Sequence, residues 1–503
     1  MAQKVHVPSK RQRNTTVKRS RTGCRTCKAR HVKCDEAPGA CKNCTSSGRK
    51  CDGYDLHLVG SSQAIVTFMR NIETRFDWAT TSDERRCFSY FQHHSVPSLM
   101  GLADSPLWQQ LVLQMSRTEP AVYHAVIMLG AIHQESEANR MLLAGENLSR
   151  TRHKFALEQS SRSFALLNKR HASRDPALYQ VLLLCCLLFV ISEVMWGRYD
   201  SAITHLRGGL KILQELKASQ LEMNVEPYLV AAFIRLNTVS SQLTGGPLSD
   251  IKHNELPGQS YNTPVRALKE AQRRLDTLLT TGVPFLAKCW VLSKGDIEED
   301  YESLSLTQFG LLSRYHQLLH QFEQFTKRSY TLLSEKQQRE ADLVRLHCLA
   351  QILPLKTCLL KGPIPELFTP DYVTLLMATE ELIDKLPMLT TITVDEGIIP
   401  GLFVIASSCP DYRVRLQAID CMLSWPHCEG LLNSNLAASI ALEGLKGDLA
   451  RKRDKECDQG VLEVADREQG SFLLNTLTSV ESIADWVPIR TTRIAVPKAK
   501  ARN

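Results

Sequence analysis

The sequence predicts a mostly α-helical protein in two parts, a small cysteine-rich module near the N-terminus and a large all-helical body behind it. Three observations carry that expectation. Six cysteines fall within residues 24–51. The same region concentrates positive charge: residues 1–51 hold fourteen Lys and Arg against Asp35 and Glu36, a net +12, so the chain total of +8 leaves −4 for the rest. From about residue 83 onward, apolar residues recur every three or four positions, the period of an amphipathic helix. With 503 residues the chain has room for two or three domains.

Residues 1–23 come first. They contain Lys4, Lys10, Arg11, Arg13, Lys18, Arg19 and Arg21, no acid and few apolar residues, so the expectation is a disordered basic arm.

The module follows at residues 24–51. Cys24, Cys27, Cys34, Cys41, Cys44 and Cys51 give C-x2-C-x6-C-x6-C-x2-C-x6-C, in which the unit C-x2-C-x6-C occurs twice. A C-x2-C turn lets two thiolates converge on one zinc, which takes four ligands in a tetrahedron. Two zincs need eight ligand positions. Six thiolates fill them if two sulfurs bridge both metals, and a repeated unit supplies one bridging cysteine from each half. One zinc held by four of the six is an alternative. Three disulfides would suit a small secreted domain, but the preceding residues lack the apolar run of a secretory leader. A module of this size has little hydrophobic core and needs such a staple.

Charge separates the two halves. Arg25, Lys28, Arg30, His31 and Lys33 lie between Cys24 and Cys34, whereas the second half carries Lys42, Arg49 and Lys50. Six thiolates and two Zn²⁺ sum to −2, so the cluster itself would draw on part of this positive charge. The remaining density suits phosphate neutralisation. A basic head on a mildly acidic body is the charge asymmetry of a nucleic-acid-binding module attached to something else.

This stretch resembles the fungal binuclear zinc-cluster (Zn2Cys6) DNA-binding domain. The resemblance implies two Zn²⁺ per chain, with Cys24 and Cys41 as the bridging ligands. One zinc would hold Cys24, Cys27, Cys34 and Cys41, the other Cys24, Cys41, Cys44 and Cys51. The basic residues between the second and third cysteines, the Cys34-Asp35 step and a loop proline, Pro38, also match, although Pro38 stands one residue farther from Cys41 than is common. The family places the end of its first helix in the major groove over a CGG triplet. That implies Arg30 and His31 as base-contacting residues, with Lys28 and Lys33 on phosphates. Arginine suits the O6 and N7 acceptors of guanine, and His31, standing where a second Lys or Arg is usual, offers a ring N–H. A nuclear protein follows from this reading. Lys10, Arg11, Arg13, Lys18, Arg19 and Arg21 then suit a bipartite import signal, or further phosphate contacts.

Residues 52–82 read as a linker. Many zinc-cluster regulators carry a coiled coil here, which needs several heptads of apolar a and d positions. The stretch QAIVTFMRNIETRFDWAT (63–80) offers two turns of apolar spacing, so no pairing helix is readable, and the oligomeric state stays open between a monomer and a dimer formed through the body.

Residues 83–455 are expected to be all-helical. Ile203, Leu206, Leu210 and Leu213 mark one helix face, and Leu311, Tyr315, Leu318, Phe322 and Phe325 mark another. Ser105 before Pro106, and Thr118 before Glu119 and Pro120, read as helix starts. The apolar run 181–191 is shorter than the ~20 residues of a membrane span and reads as a buried central helix. The ten cysteines outside the module, Cys87, Cys185, Cys186, Cys289, Cys421 and Cys428 among them, have no paired metal spacing and read as reduced thiols. His93 and His94 near Cys87 read as ordinary helix residues. The passages CFSYFQHHSVPSLMG (87–101) and HLRGGLKIL (205–213) resemble the helical regulatory region that follows the cluster in filamentous-fungal regulators. Residues 456–503 form a tail of mixed acidic and apolar character, suited to an activation segment or a terminal helix.

Together these readings predict a transcription factor acting at CGG-containing RNA polymerase II promoters in contact with the transcription machinery. Activation and control of a biosynthetic gene cluster are the expected setting. Two rivals are a zinc-buffering or redox-sensing protein, and an enzyme in the helical body with the cluster as a targeting handle. The chain contains no P-loop, G-x-S-x-G or H-E-x-x-H motif, so no catalytic residues are proposed.

Overall fold

The computed structural model describes residues 24–35, 37, 40–51, 78–139, 141, 151–170, 172–173, 175, 177–219, 225–250, 264–386, 391–395 and 397–459. The arm cations Lys10 to Arg21, the loop residue Pro38, the linker stretch 63–77 and the tail from 460 lie outside the described residues. The chain divides into two compact units, residues 1–75 and 76–503. The first contains helices α1 (Arg25–Ala29) and α2 (Lys42–Thr45) around the cysteines.

The second unit opens with α3 (Ser82–Tyr90). Thr81 caps it by accepting from the Glu84 backbone N–H while the Glu84 carboxylate accepts from Thr81 N, at 3.2 and 2.8 Å. The chain continues through a π-helical turn, Phe91–Ser95, into Val96–Leu99. Helices α4 (Val112–Thr118), α5 (Pro120–Asn139), α6 (Thr151–Asn168), α7 (Ala177–Met195), α8 (Tyr199–Ala218) and α9 (Pro227–Thr244) follow. Most of their apolar faces form one core cluster. The expected face of α8 is buried at Ile203, Leu206, Leu210 and Leu213. By length and composition α7 could cross a bilayer, yet most of it, including all of the 181–191 run but the half-buried Leu182 and Cys186, is buried inside the unit.

Helices α10 (Leu268–Val291), α11 (Tyr301–Ser329) and α12 (Glu335–Thr357) form a second cluster, with Leu311, Tyr315, Leu318 and Phe322 buried and Phe325 packed at its edge. Helices α13 (Thr369–Asp384), α14 (Ile399–Ser408), α15 (Tyr412–Ser424) and α16 (Ser434–Gln459) enclose a third, to which α12 contributes Leu346 and Leu353.

Two local expectations need correction. Thr118 starts no helix: it ends α4, its hydroxyl facing the Met115 carbonyl at 3.5 Å, and Glu119 precedes Pro120 at the start of α5. Ser105 caps through its carbonyl, which accepts from Trp108 N and Gln109 N at 3.1 Å each, and not through its hydroxyl.

The body also contains more than helices. Strands β1 (Ile392–Thr393), β2 (Cys428–Glu429) and β3 (Leu432–Asn433) form a small sheet in the order β1-β2-β3, parallel then antiparallel, with Ile392 opposite Cys428 and Glu429 opposite Leu432. Two residues per strand are too few for an alternation to stand out in sequence. The sheet sets Glu429 under the start of α14. Its buried carboxylate accepts from the backbone N–H groups of Gly397, Ile398 and Ile399 at 3.0, 2.8 and 3.0 Å. These are donors that a helix start leaves unpaired. His427 Nε2 lies 2.9 Å from the same carboxylate, and its Nδ1 faces the Trp425 carbonyl at 2.7 Å. Burial works against the Glu429 charge, but His427 and the N–H groups hold its carboxyl below the usual range. A side chain at Gly397 would run into this carboxylate, so only glycine fits there.

Candidate metal centre and nucleic-acid interface

The two cysteine units fold alike. Adding 17 to any position of the first half gives its counterpart in the second, and the hydrogen bonds repeat in that register. Cys27 N donates to Cys24 Sγ at 3.3 Å, and Cys44 N to Cys41 Sγ at 3.3 Å. Cys24 N donates to Cys34 Sγ at 3.4 Å, and Cys41 N to Cys51 Sγ at 3.5 Å. These N–H groups supply positive dipoles to the sulfurs, a supporting shell for metal ligands.

All six sulfurs gather in one place. Cys24, Cys27, Cys34 and Cys41 form one set of mutually close ligands, and Cys24, Cys41, Cys44 and Cys51 form another. The two sets share Cys24 and Cys41, whose sulfurs are 3.6 Å apart; Cys27 and Cys41 are 3.5 Å apart, and Cys24 and Cys44 3.8 Å. A tetrahedral zinc with Zn–S bonds of ~2.3 Å has S···S edges of about 3.8 Å, so this donor set fits two zincs sharing two thiolates. Burial, with neighbouring cysteine side chains adding to it, pushes the Cys24 and Cys41 thiols up, so a bound cation would be what holds them as thiolates. When bound, zinc supplies the cross-link in place of a hydrophobic core.

Other contacts join the halves. Thr26 Oγ1 donates to the Lys50 carbonyl at 3.0 Å, Arg30 Nη1 to Ser47 Oγ at 3.3 Å, and Asn43 Nδ2 to the Lys33 carbonyl. Asp35 accepts from Lys42 N at 3.1 Å and Asn43 N at 3.4 Å, which holds its carboxyl below the usual range and docks the inter-unit loop on the start of α2. The sequence reading gave no role to Asp35 beyond a family match, nor any to Ser47 or Thr26.

The ends of the two helices differ informatively. Each closes with a bond spanning five residues, Val32 N to the Cys27 carbonyl at 3.1 Å and Arg49 N to the Cys44 carbonyl at 2.9 Å. This is the Schellman turn, whose penultimate residue takes a left-handed conformation and is usually glycine. In the second half that residue is Gly48 at φ +65°; in the first half it is His31 at φ +56°, the one non-glycine residue with positive φ among those described. The 17-residue register makes these two positions equivalent. His31, Val32 and Lys33 are exposed, and Arg30 is partly covered by its reach to Ser47. Lys28 lies on α1, and its side chain is outside the described part.

The remaining metal candidate of the sequence does not assemble. Cys87 is buried, His94 stacks on Tyr90 with ring centres 4.5 Å apart, and among the described residues the groups able to hold a metal are the two cysteine sets. Among the described residues no body cysteine is in a disulfide.

Residues 22–58 match the fungal Zn(2)-Cys(6) binuclear cluster domain, and residues 86–422 match the fungal specific transcription factor domain. The chain is 26% identical over 323 residues to the aspercryptin biosynthesis cluster-specific transcription regulator atnN of Emericella nidulans, covering 58% of this chain and 50% of that one. It is 26% identical over 202 residues to the transcription regulator lscL of Purpureocillium lilacinum, covering 38% and 48%. A stretch of 45 residues is 58% identical to adhesion and hyphal regulator 1 of Candida albicans, covering 8% of this chain and 7% of that one. The chain thus spans about half the length of the first two relatives. No solved structure matches it. The chain belongs to the fungal transcription-factor family in which a Zn(2)-Cys(6) binuclear cluster precedes a fungal specific transcription factor domain.

Proposed function

We propose that the protein is a nuclear, sequence-specific DNA-binding transcription regulator whose cluster reads CGG triplets and whose helical body regulates its output. The observation that carries this reading is a pair of overlapping four-sulfur sites beside an exposed basic turn. Cys24 and Cys41 bridge the two zincs; Cys27 and Cys34 complete one site, Cys44 and Cys51 the other. Arg30 and His31 then face guanine acceptors, while Lys28 and Lys33 neutralise phosphates. Arg30 leaves Ser47 as the guanidinium turns to the groove. The arm cations from Lys10 to Arg21 add phosphate contacts and serve import. The name of the Emericella relative supports control of a biosynthetic gene cluster as the setting, and activation is the sign we propose.

The test is a titration of zinc-loaded full-length protein with duplexes carrying one CGG triplet or a scrambled triplet, repeated across salt concentrations. The triplet duplex should bind at least tenfold tighter, with affinity for both duplexes falling as salt rises and the preference vanishing in chelator. Equal binding of the two duplexes would leave zinc storage or redox sensing as the better reading.

A further inference from the structure

The helical unit contains a cavity of ≈ 270 Å³ where its three core clusters meet. Leu431 comes to its wall from the first cluster, Ile399 and Val404 from the α13–α16 cluster, and Val283 and Leu286 from the α10–α12 cluster. Close-packed interiors seldom leave a void larger than a water molecule. This one approaches the ~300–1,000 Å³ of small-ligand pockets. Exposed Leu243, Trp290 and Ile440 lie at its rim.

The polar groups in the wall are few and specific. Asn433 is fully engaged: its side chain donates to Met141 Sδ at 3.1 Å and accepts from Asn435 N at 2.9 Å and Leu436 N at 3.2 Å. Gln351, only 5% exposed, differs, because its buried Oε1 has no hydrogen-bond partner. The hydroxyl of Tyr199 is likewise buried without a partner. Buried polar atoms are nearly always paired, so two orphans on residues of one cavity wall point to an occupant that pairs them once either side chain turns inward. Pro354, also in the wall, has no N–H to give the Ala350 carbonyl one turn earlier.

We propose that this cavity is a binding site for a small, uncharged, largely apolar molecule carrying at least one hydrogen-bond donor. Among the described residues no Asp, Glu, Lys, Arg or His lines it, so a charged group would be buried there without a counter-ion. Its volume accepts a ring system and excludes a peptide helix. An occupant touches all three clusters at once and therefore stabilises the body as a whole.

Indole tests this, being apolar with one N–H donor, against indene, which has nearly the same shape and no donor. Calorimetric titration and thermal unfolding of zinc-loaded full-length protein would read both. Indole should raise Tm in a dose-dependent manner and bind about fivefold tighter than indene, the worth of one neutral hydrogen bond. Gln351→Leu should erase that preference while leaving indene binding intact. Ala437→Phe, which fills the cavity, should abolish both, and indole-3-acetate should not bind. The proposal is overturned if indole neither binds nor shifts Tm, if its binding survives Ala437→Phe, or if Gln351→Leu still prefers indole. Binding that appears only after removal of residues 460–503 would identify the chain's own tail as the occupant and also overturn it.

Discussion

Replacing His31 by glycine separates two properties that one residue combines. At φ +56° His31 occupies a backbone conformation that costs a non-glycine residue ~1–2 kcal/mol. Glycine avoids this strain but gives up ~0.5–1 kcal/mol of chain entropy. The difference favours His31→Gly by about 0.5–1 kcal/mol, and Gly48 demonstrates that the equivalent turn accepts glycine. A turn that tolerates strain in one half and not in the other points to a side chain kept for use. Zinc loss from the full-length protein under graded chelator would read the stability, because metal binding and folding of such a module are one equilibrium. His31→Gly should resist chelator about two- to fivefold better than the parent. The same variant should lose ~1–3 kcal/mol of discrimination between CGG and a mutated triplet, the worth of a good base contact. His31→Ala should lose the discrimination without gaining chelator resistance, since alanine keeps the strain. Lower chelator resistance in His31→Gly would refute the strain argument. Unchanged triplet preference in both variants would remove His31 from base reading.

Three further outcomes follow from the same geometry. Native mass spectrometry should count two zincs in the parent protein and none in Cys24→Ser or Cys41→Ser, while Cys51→Ser, outside the first ligand set, should retain one. Burial pushes the Asp276 carboxyl up to about 6, with Arg235 opposing and Asp395 adding to the effect. The folded state then holds this proton more tightly than the unfolded one, so stability falls as pH rises from about 4 to about 6 and stays lower above; Asp276→Asn should unfold later than the parent at pH 7.5, by about 3 kcal/mol, and match it near pH 4. Glu429→Ala strands three buried N–H groups at the start of α14 and should cost about 3–5 kcal/mol in denaturant unfolding.

The metal centre was legible because ligand chemistry acts through fixed short spacings, and the two C-x2-C-x6-C units carry their geometry with them. The 17-residue register that pairs His31 with Gly48 was also present in the sequence, but positive φ shows only once the turns are built. Helix faces such as Ile203-Leu206-Leu210-Leu213 were readable from period alone. The sheet was not, because each strand has two residues, and β1 lies far in sequence from the β2–β3 hairpin that it joins. Glu429 reaches a helix start some thirty residues away, and no local pattern announces such a cap. Thr118 looked like a cap because its residue type suits one, yet its place at the end of α4 gave that position to Glu119. The cavity is assembled from α8 to α16 with a strand between, so its polar orphans, Gln351 and Tyr199, emerge only from tertiary structure.

The most direct test of the central claim is selection from a pool of random duplex DNA by zinc-loaded full-length protein, followed by sequencing of the retained fraction. The account predicts enrichment of CGG triplets, lost in Arg30→Ala and in chelator. A retained pool with the composition of the input would contradict it.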